Sequence, residues 1–204
     1  MSFVLTIDDQ IAGGSVRLRL RDMTPEKFWQ FARQNEGIKT EMTTDGEMVV
    51  YSPTGGSTGY SNTKFTRFID EWAETDGSGV VFDSSTLFIL PNGARRSPDA
   101  AWVTHARWDA LSQDDQDKPV PLAPDFALEI LSPTDSVTET QTKMEEYKAN
   151  GVRLGWLVAP KTRTVYIYRP GHDVETLDDP ATVSGAPELP GFVLDMLRVF
   201  PRRP

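Results

Sequence analysis

The chain is organised around one apolar stretch that carries a carboxylate, Pro124-Asp125-Phe126-Ala127-Leu128-Glu129-Ile130-Leu131-Ser132-Pro133-Thr134-Asp135. In a β-strand successive side chains point to opposite faces, so Phe126, Leu128 and Ile130 would face one side and Glu129 the other. An ionised carboxylate is rarely buried unless a cation, a hydrogen-bond donor or a metal compensates its lost hydration. We therefore interpret Glu129 as a candidate metal ligand.

The length and composition favour one globular domain. The 204 residues include 38% hydrophobic residues, five Trp and ten Phe, which is enough for a sizeable core. No linker-like segment divides the chain, so we expect a single domain over residues 1–204, with a peripheral hairpin at 1–22 and a core from about 24 to 200.

Several classes of site are excluded by what the sequence lacks. The absence of Cys removes disulfides, zinc–thiolate sites and thiol nucleophiles, and two His cannot form a multi-histidine metal site. No apolar run approaches the length of a membrane span, and the first residues do not resemble a secretion signal. We expect a soluble, cytoplasmic protein without membrane contact.

The formal net charge of −9 counts against a long-range attraction for nucleic acid. A local basic rim or bound divalent cations can offset this negative average. Carboxylates gathered around a metal would themselves contribute to it.

The N-terminal third contains two predicted hairpins. Strands at residues 3–7 and 15–21 would meet at Gly13-Gly14, and Asp45-Gly46 predicts a turn between strands 38–42 and 48–51, with Glu41 on the first of these. Alternating Arg residues on the strand at 15–21 fit either a basic patch or the solvated side of an edge strand; they are Arg17, Arg19 and Arg21.

Two helices are predicted in the same part of the chain. Thr24-Pro25 indicates a helix start. Ser52-Pro53-Thr54-Gly55-Gly56 precedes a second helix, which Ser57 or Thr58 could cap. Its two glycines could also bind phosphate through backbone N–H groups, although a Walker Lys and the dinucleotide spacing are both absent.

Further along, Asp99 lies at the start of a predicted strand over 97–103, so it repeats the anomaly of Glu129. A helix is predicted from about Val137 to Asn150. Its inner face would carry Thr140, Lys143, Met144 and Tyr147, and its outer face Glu139, Glu145, Glu146 and Lys148. Asp135 is the predicted cap of this helix.

These residues form a candidate site of three carboxylates and one cation, namely Glu41, Asp99, Glu129 and Lys143. Hard ions such as Mg²⁺ or Mn²⁺ prefer oxygen ligands, so two carboxylates and a backbone carbonyl such as that of Ile130 suffice. A metal held in this way lowers the pKa of a bound water and polarises a phosphodiester, and a nearby Lys can neutralise the developing charge. From the residues alone, Asp99 also fits a turn residue, and Lys143 a side chain that reaches solvent.

Nearly the whole chain resembles the Uma-type family of putative restriction endonucleases, within the Pro-Asp…(Asp/Glu)-x-Lys nuclease superfamily. The segments that match are Glu41 to Glu47, Ser52 to Gly56, Ser97-Pro98-Asp99, Pro124 to Pro133, Lys143 to Tyr147, Gly151 to Leu157 and Leu189 to Phe192. Each is short, but they occur in the family's order from about residue 25 to 200.

The resemblance implies an α/β protein of restriction-endonuclease-like fold, with a mixed central sheet flanked by helices in an αβββαβ core and an N-terminal hairpin added. It implies that Asp99, Glu129 and the Ile130 carbonyl bind Mg²⁺ or Mn²⁺, and that Glu41 assists as an outer or third acidic ligand. The superfamily Lys two residues after the Glu is replaced here by Leu131, and its role passes to Lys143.

Two functions follow as hypotheses. The first is a metal-dependent endonuclease that hydrolyses phosphodiester bonds, with DNA as the expected nucleic-acid partner and a homodimer as a compatible assembly. The second is a non-catalytic interaction module that retains the nuclease fold.

Overall fold

A computed structural model describes residues 15–19, 23–35 and 37–200. In chain order its elements are β1 (Ser15–Leu18), α1 (Pro25–Gln34), β2 (Thr40–Met42), β3 (Met48–Tyr51), α2 (Gly56–Asp76), β4 (Gly79–Asp83), β5 (Phe88–Ile89), β6 (Arg95–Arg96), β7 (Ala100–Thr104), α3 (His105–Trp108), α4 (Gln113–Gln116), β8 (Phe126–Ile130), α5 (Val137–Ala149), β9 (Leu154–Ala159), β10 (Thr164–Tyr168), β11 (Glu175–Asp178), β12 (Thr182–Ser184), β13 (Val193–Asp195) and a 3₁₀ turn at Met196–Arg198. None of the helices in these ranges is long and apolar enough to cross a membrane.

A six-stranded sheet in the order β11-β10-β9-β8-β7-β4 contains the central strand β8. β8 pairs parallel with β9 and antiparallel with β7, and the other neighbours in this sheet are antiparallel. The succession α2-β4-β7-β8-α5-β9 is the αβββαβ core that the resemblance implies. α5 connects the two parallel strands, as such a pair requires a crossover.

The alternation predicted for β8 is confirmed. Phe126, Leu128 and Ile130 pack in the core cluster that includes the apolar side of α2. The opposite face of β8 contributes Ala127 to the cluster formed with α5. Glu129 has the same parity as Ala127, so it lies on the α5 side of the sheet.

A smaller sheet, in the order β1-β3-β2-β6-β5, brings the N-terminal third beside this core. The predicted hairpin around Asp45-Gly46 is confirmed, because β2 and β3 pair antiparallel on either side of it. β1 is an edge strand that pairs with β3. The predicted strand at 3–7 and the turn at Gly13-Gly14 lie outside the described residues, and the single-domain organisation stays a prediction.

Several local predictions are wrong. β7 begins at Ala100 rather than Ser97, so Asp99 precedes the strand; Pro98 has no N–H to donate, and the Asp99 carboxylate itself accepts the bond from the Ile130 N–H. Ser136 caps α5, because the Asp135 carboxylate accepts instead from the Ser132 N–H.

Two further expectations about side chains differ from the structure. α2 begins at Gly56 with Gly55 as its N-cap, so the predicted caps Ser57 and Thr58 lie inside its first turn. Glu146 does not point outward: its Oε2 accepts from Arg96 Nε at 2.6 Å, a partner that lies far away in sequence.

Candidate active site

The candidate site is a cavity of about 630 Å³ at the end of β8. Asp99, Glu129, Ile130 and Lys143 all line it, together with Lys39 from the segment before β2. Three parts of the fold meet here: the central strands, the inner face of α5, and the smaller sheet. Four of the predicted site residues therefore converge, although they come from three separate segments of the chain.

Asp99 is held by both of its carboxylate oxygens. Oδ2 accepts a hydrogen bond from the Ile130 N–H at 2.8 Å, and Oδ1 accepts from the Lys39 Nζ at 3.0 Å. The first contact fixes Asp99 to the next strand of the sheet. The second leaves an ammonium group directly on a carboxylate oxygen that faces the cavity.

Glu129 is 6% exposed and carries two partners on one oxygen. Its Oε1 lies 2.7 Å from Lys143 Nζ and accepts from the Tyr147 hydroxyl at 2.9 Å. Burial raises the pKa of Glu129 to about 7; the positive charge of Lys143 opposes this effect, and the negative charge of Asp99 adds to it. A further positive charge in the cavity would therefore stabilise the ionised form of Glu129.

Glu41 is completely buried and does not line the cavity. Four donors surround its carboxylate: Oε1 accepts from Lys143 Nζ at 2.7 Å and the Ser97 N–H at 2.9 Å, and Oε2 from the Tyr51 hydroxyl at 2.8 Å and an Arg96 nitrogen at 3.2 Å. Burial alone would raise its pKa, but the charges of Lys143 and Arg96 outweigh burial and lower the pKa of Glu41 to about 2.

Lys143 bridges the two glutamates. Its Nζ lies 2.7 Å from both Glu41 Oε1 and Glu129 Oε1, and its side chain is 10% exposed. Burial would lower the pKa of Lys143, but the two carboxylates raise it above its ordinary value, so the group is a permanent cation. Lys143 thus lies on the inner face of α5, in the register that the helical spacing predicts.

The oxygen atoms present fit a hard divalent ion. Asp99, just before β7, and Glu129, in β8, both offer carboxylates to the cavity, and Ile130 also lines it. Mg²⁺ usually takes one or two carboxylates and keeps several waters, so this donor set is of the right kind. Within the described ranges, no cluster of three or more His, Cys, Asp or Glu side chains is arranged to hold a metal. The two-carboxylate set with the Ile130 carbonyl therefore stays the prediction.

Sequence reasoning missed Lys39, Tyr51 and Arg96. Lys39 could have been predicted, because two residues apart on an extended strand its side chain would point to the same side as that of Glu41. Arg96 gave no signal, since an Arg-Arg pair in a short turn-rich segment is typical of a surface. Its burial follows from Glu41 and Glu146, which supply two carboxylates to one guanidinium.

Comparisons with known proteins agree with this fold. The sequence model of the Uma2 family, described as "putative restriction endonuclease", matches residues 25–197. Among solved structures, the chain is similar to a putative nuclease belonging to DUF820 from Anabaena variabilis, with a TM-score of 0.67 and 20% identity over 79% of this chain and 89% of that chain. This likeness supports the restriction-endonuclease-like fold. A comparison with curated proteins gave no match.

Proposed function

Because the chain belongs to the Uma2 family, we propose that it is a divalent-metal-dependent endonuclease that hydrolyses phosphodiester bonds, with DNA as the expected substrate. The family and the fold support a nuclease. The dependence on a metal and the choice of DNA as substrate are proposed beyond what the family and the fold support. The observation that carries them is the convergence of Asp99, Glu129, Ile130 and Lys143 on one cavity.

In this proposal Asp99, Glu129 and the Ile130 carbonyl hold Mg²⁺ or Mn²⁺. When bound, the ion supplies a water of lowered pKa and polarises the phosphodiester. Lys143 points its ammonium group into the same space and stabilises the negative charge that develops on the phosphate oxygens. Lys143 can do so because its charge is fixed by two carboxylates.

Glu41 acts as a positioning residue rather than as the outer metal ligand that the sequence suggests. Its two oxygens already accept four hydrogen bonds, and it does not line the cavity. A carboxylate with four donors has little capacity left for a metal. Its contribution is to hold Lys143 in one place beside Glu129.

Cleavage assays test the proposal directly. The wild-type protein, incubated with single- and double-stranded DNA and RNA, should cleave DNA with Mg²⁺ or Mn²⁺ and not with EDTA. Glu129→Ala and Lys143→Ala should each lower the rate by about 10³-fold. Glu145→Ala is the matched control, because Glu145 lies on the outer face of α5. A wild-type protein inert toward every substrate with both metals would overturn the proposal.

A non-catalytic interaction module is the second candidate, and one observation favours it. Lys39 and Lys143 already compensate the carboxylates that line the cavity, so the site is electrostatically balanced without a metal. Calorimetric titration separates the two candidates. An interaction module would bind neither Mg²⁺ nor Mn²⁺, whereas a nuclease would bind at least one of them through Asp99 and Glu129.

A homodimer is a further part of the nuclease proposal, because one cavity can attack one strand at a time. Sedimentation analysis with duplex DNA tests it. A dimer in complex with duplex would support cleavage of both strands, and a monomer would indicate nicking.

A further inference from the structure

The start of α2 forms a second part of the same cavity. Gly55 and Thr58 line it. Gly55 is the N-cap residue and, having no side chain, makes no cap hydrogen bond; the first turn also contains no acidic residue. The N–H groups of Gly56, Ser57 and Thr58 therefore have no intrahelical acceptor, and no other described residue accepts from them. The positive end of a 21-residue helix is left open here.

Thr58 supplies an independent sign of a ligand. It is 5% exposed, so more than nine-tenths of it is buried. Among the described residues none forms a hydrogen bond with its hydroxyl group, and what remains accessible of Thr58 lies at the cavity wall. The Thr58 oxygen is not one of the side-chain atoms that are closed off without a partner, so it keeps access to the cavity and is available to donate to a ligand with acceptor oxygens.

There is open space beside Gly55 and Gly56. A Cβ atom added at Gly55 or at Gly56 would meet no atom within 4 Å. Arg17, on the edge strand β1, also lines the cavity and adds a positive charge from the side of the smaller sheet. Phosphate oxygens are acceptors only, and an open helix N-terminus is a common way to bind them.

We infer that the N-terminus of α2, the Thr58 hydroxyl and Arg17 bind a phosphate group of a nucleic-acid strand, at a subsite beside the candidate metal site. The class of substrate rests on the proposed nuclease function. The subsite anchors the strand one or more nucleotides away from the scissile bond. The phosphate comes either from the sugar-phosphate backbone or from a strand end, and the two sources share the same recognition chemistry.

The sharpest test is Gly55→Asp. Its backbone angles, φ −67° and ψ 161°, suit an Asp N-cap, and the added side chain has room. The carboxylate would accept from the open amides and repel an anion. We expect thermal stability to be equal or higher and the affinity for a labelled oligonucleotide in EDTA to fall about 10-fold. A folding defect would instead lower both the stability and the affinity.

Three further variants give the matched comparisons. Gly55→Ser caps the helix without a charge and should weaken binding less than Gly55→Asp. Thr58→Val removes only the hydroxyl group and should weaken binding about 3-fold to 10-fold. Gln30→Glu adds one negative charge on the exposed side of α1, away from the cavity, and should bind like the wild type.

Oligonucleotides with and without a 5′-phosphate identify the source of the phosphate. A Gly55→Asp defect seen with both indicates a backbone phosphate, and a defect seen only with the phosphorylated strand indicates a strand end. A Gly55→Asp protein that folds and binds both with wild-type affinity overturns the inference, and so does an equal loss in Gln30→Glu.

Inorganic phosphate separates this inference from the proposed function. If the wild-type protein binds no nucleic acid, the nuclease proposal fails. The subsite then stands if inorganic phosphate raises the melting temperature of the wild type and not that of Gly55→Asp, and falls if both proteins respond equally.

Discussion

Lys39 and Lys143 place two ammonium groups on the two carboxylates that would bind a metal. Lys39 is the more exposed, with 27% of its side chain accessible, and it contacts Asp99 without a second carboxylate to hold it. A divalent ion on Asp99 would compete with this ammonium group for Oδ1. Lys39 would then be released toward the phosphate. Removing the Lys39 ammonium group should therefore strengthen metal binding and slow cleavage.

We expect Lys39→Met to bind Mn²⁺ several-fold more tightly than the wild type, because a competitor is gone, and to cleave about 100-fold more slowly. Calorimetry measures the first effect and single-turnover kinetics the second. Lys39→Arg should restore part of the rate, and Lys161→Met, at an exposed turn, should change neither quantity. Weaker Mn²⁺ binding by Lys39→Met would contradict this role.

Glu41 should make the stability of the protein depend on acid pH. Its pKa is about 2 in the folded state and 4.5 without the fold, so the unfolded state binds the proton first as the pH falls. The stabilisation is complete above pH 4.5 and is lost as the pH falls toward 2. Burial raises the pKa of Glu129 to about 7, so Glu129 contributes with the opposite sign and mainly above this window.

We therefore expect the unfolding free energy of Glu41→Gln, measured by urea titration, to decline less than that of the wild type between pH 4.5 and 2. The two curves should approach each other at the acid end. Glu145→Gln, on the exposed side of α5, should follow the wild-type curve. Parallel curves for Glu41→Gln and the wild type would show that Glu41 is not ionised in the fold.

The sequence predicted those site residues whose polarity conflicts with their surroundings. Glu129 stands out in an apolar strand, and Lys143 lies on the inner stripe of a helix. Arg96 and Tyr51 could not be found in this way, because their partners are set by tertiary contacts. Glu41 was found, but its four donors come from three separate segments, so its positioning role required the structure.

At the level of elements, two glycines show how tightly the core strands are placed. A Cβ at Gly79 in β4 would lie 2.3 Å from the carbonyl oxygen of Val103 and 2.6 Å from the Trp102 ring. A Cβ at Gly155 in β9 would lie 2.6 Å from the terminal methyl group of Met144 in α5. The first obstacle is partly backbone and cannot move, whereas the second is the end of a flexible side chain.

We expect Gly79→Ala to cost about 3 kcal/mol and Gly155→Ala about 1 kcal/mol. For a chain of this size the melting temperature would fall by roughly 6–12 °C and 2–4 °C respectively. Thermal denaturation followed by circular dichroism measures both. Equal shifts would mean that β4 moves away from β7 as easily as Met144 rotates.

Elements with strong local signals were predictable, and those defined by long-range pairing were not. Thr24-Pro25 starts α1, and Asp45-Gly46 turns between β2 and β3, as the sequence indicates. The start of β7 was misplaced because alternation of polar and apolar residues does not show that Pro98 lacks an N–H or that the Asp99 carboxylate accepts from the Ile130 N–H. The N-cap of α2 was misplaced because Gly55 takes the extended backbone conformation of an N-cap without a capping side chain that the sequence could show.

For the whole molecule, the candidate site is the place where two sheets meet. Lys39 and Glu41 come from β2 and the segment before it, and Asp99 and Glu129 from the segment before β7 and from β8. Sequence periodicity predicts each sheet separately, but not the contact between them. The ion pairs of Lys39 with Asp99 and of Glu41 with Lys143 join the smaller sheet to the core across the site.

The net charge of −9 predicts how nucleic acid would bind. Long-range repulsion confines favourable contacts to the cavity. Its wall carries Arg17, Lys39 and Lys143, of which the two lysines already contact carboxylates, and Arg96 is paired with Glu41 and Glu146. Each phosphate contact contributes about 0.7–0.9 to the slope of log affinity against log salt. We expect a slope no steeper than about −3 in EDTA, and tighter binding when Mg²⁺ is added. Fluorescence anisotropy from 50 to 300 mM NaCl measures the slope, with Lys161→Ala as a control outside the cavity. A slope of −5 or steeper would require a second basic surface, and nucleic acid would then contact this protein well beyond the end of β8.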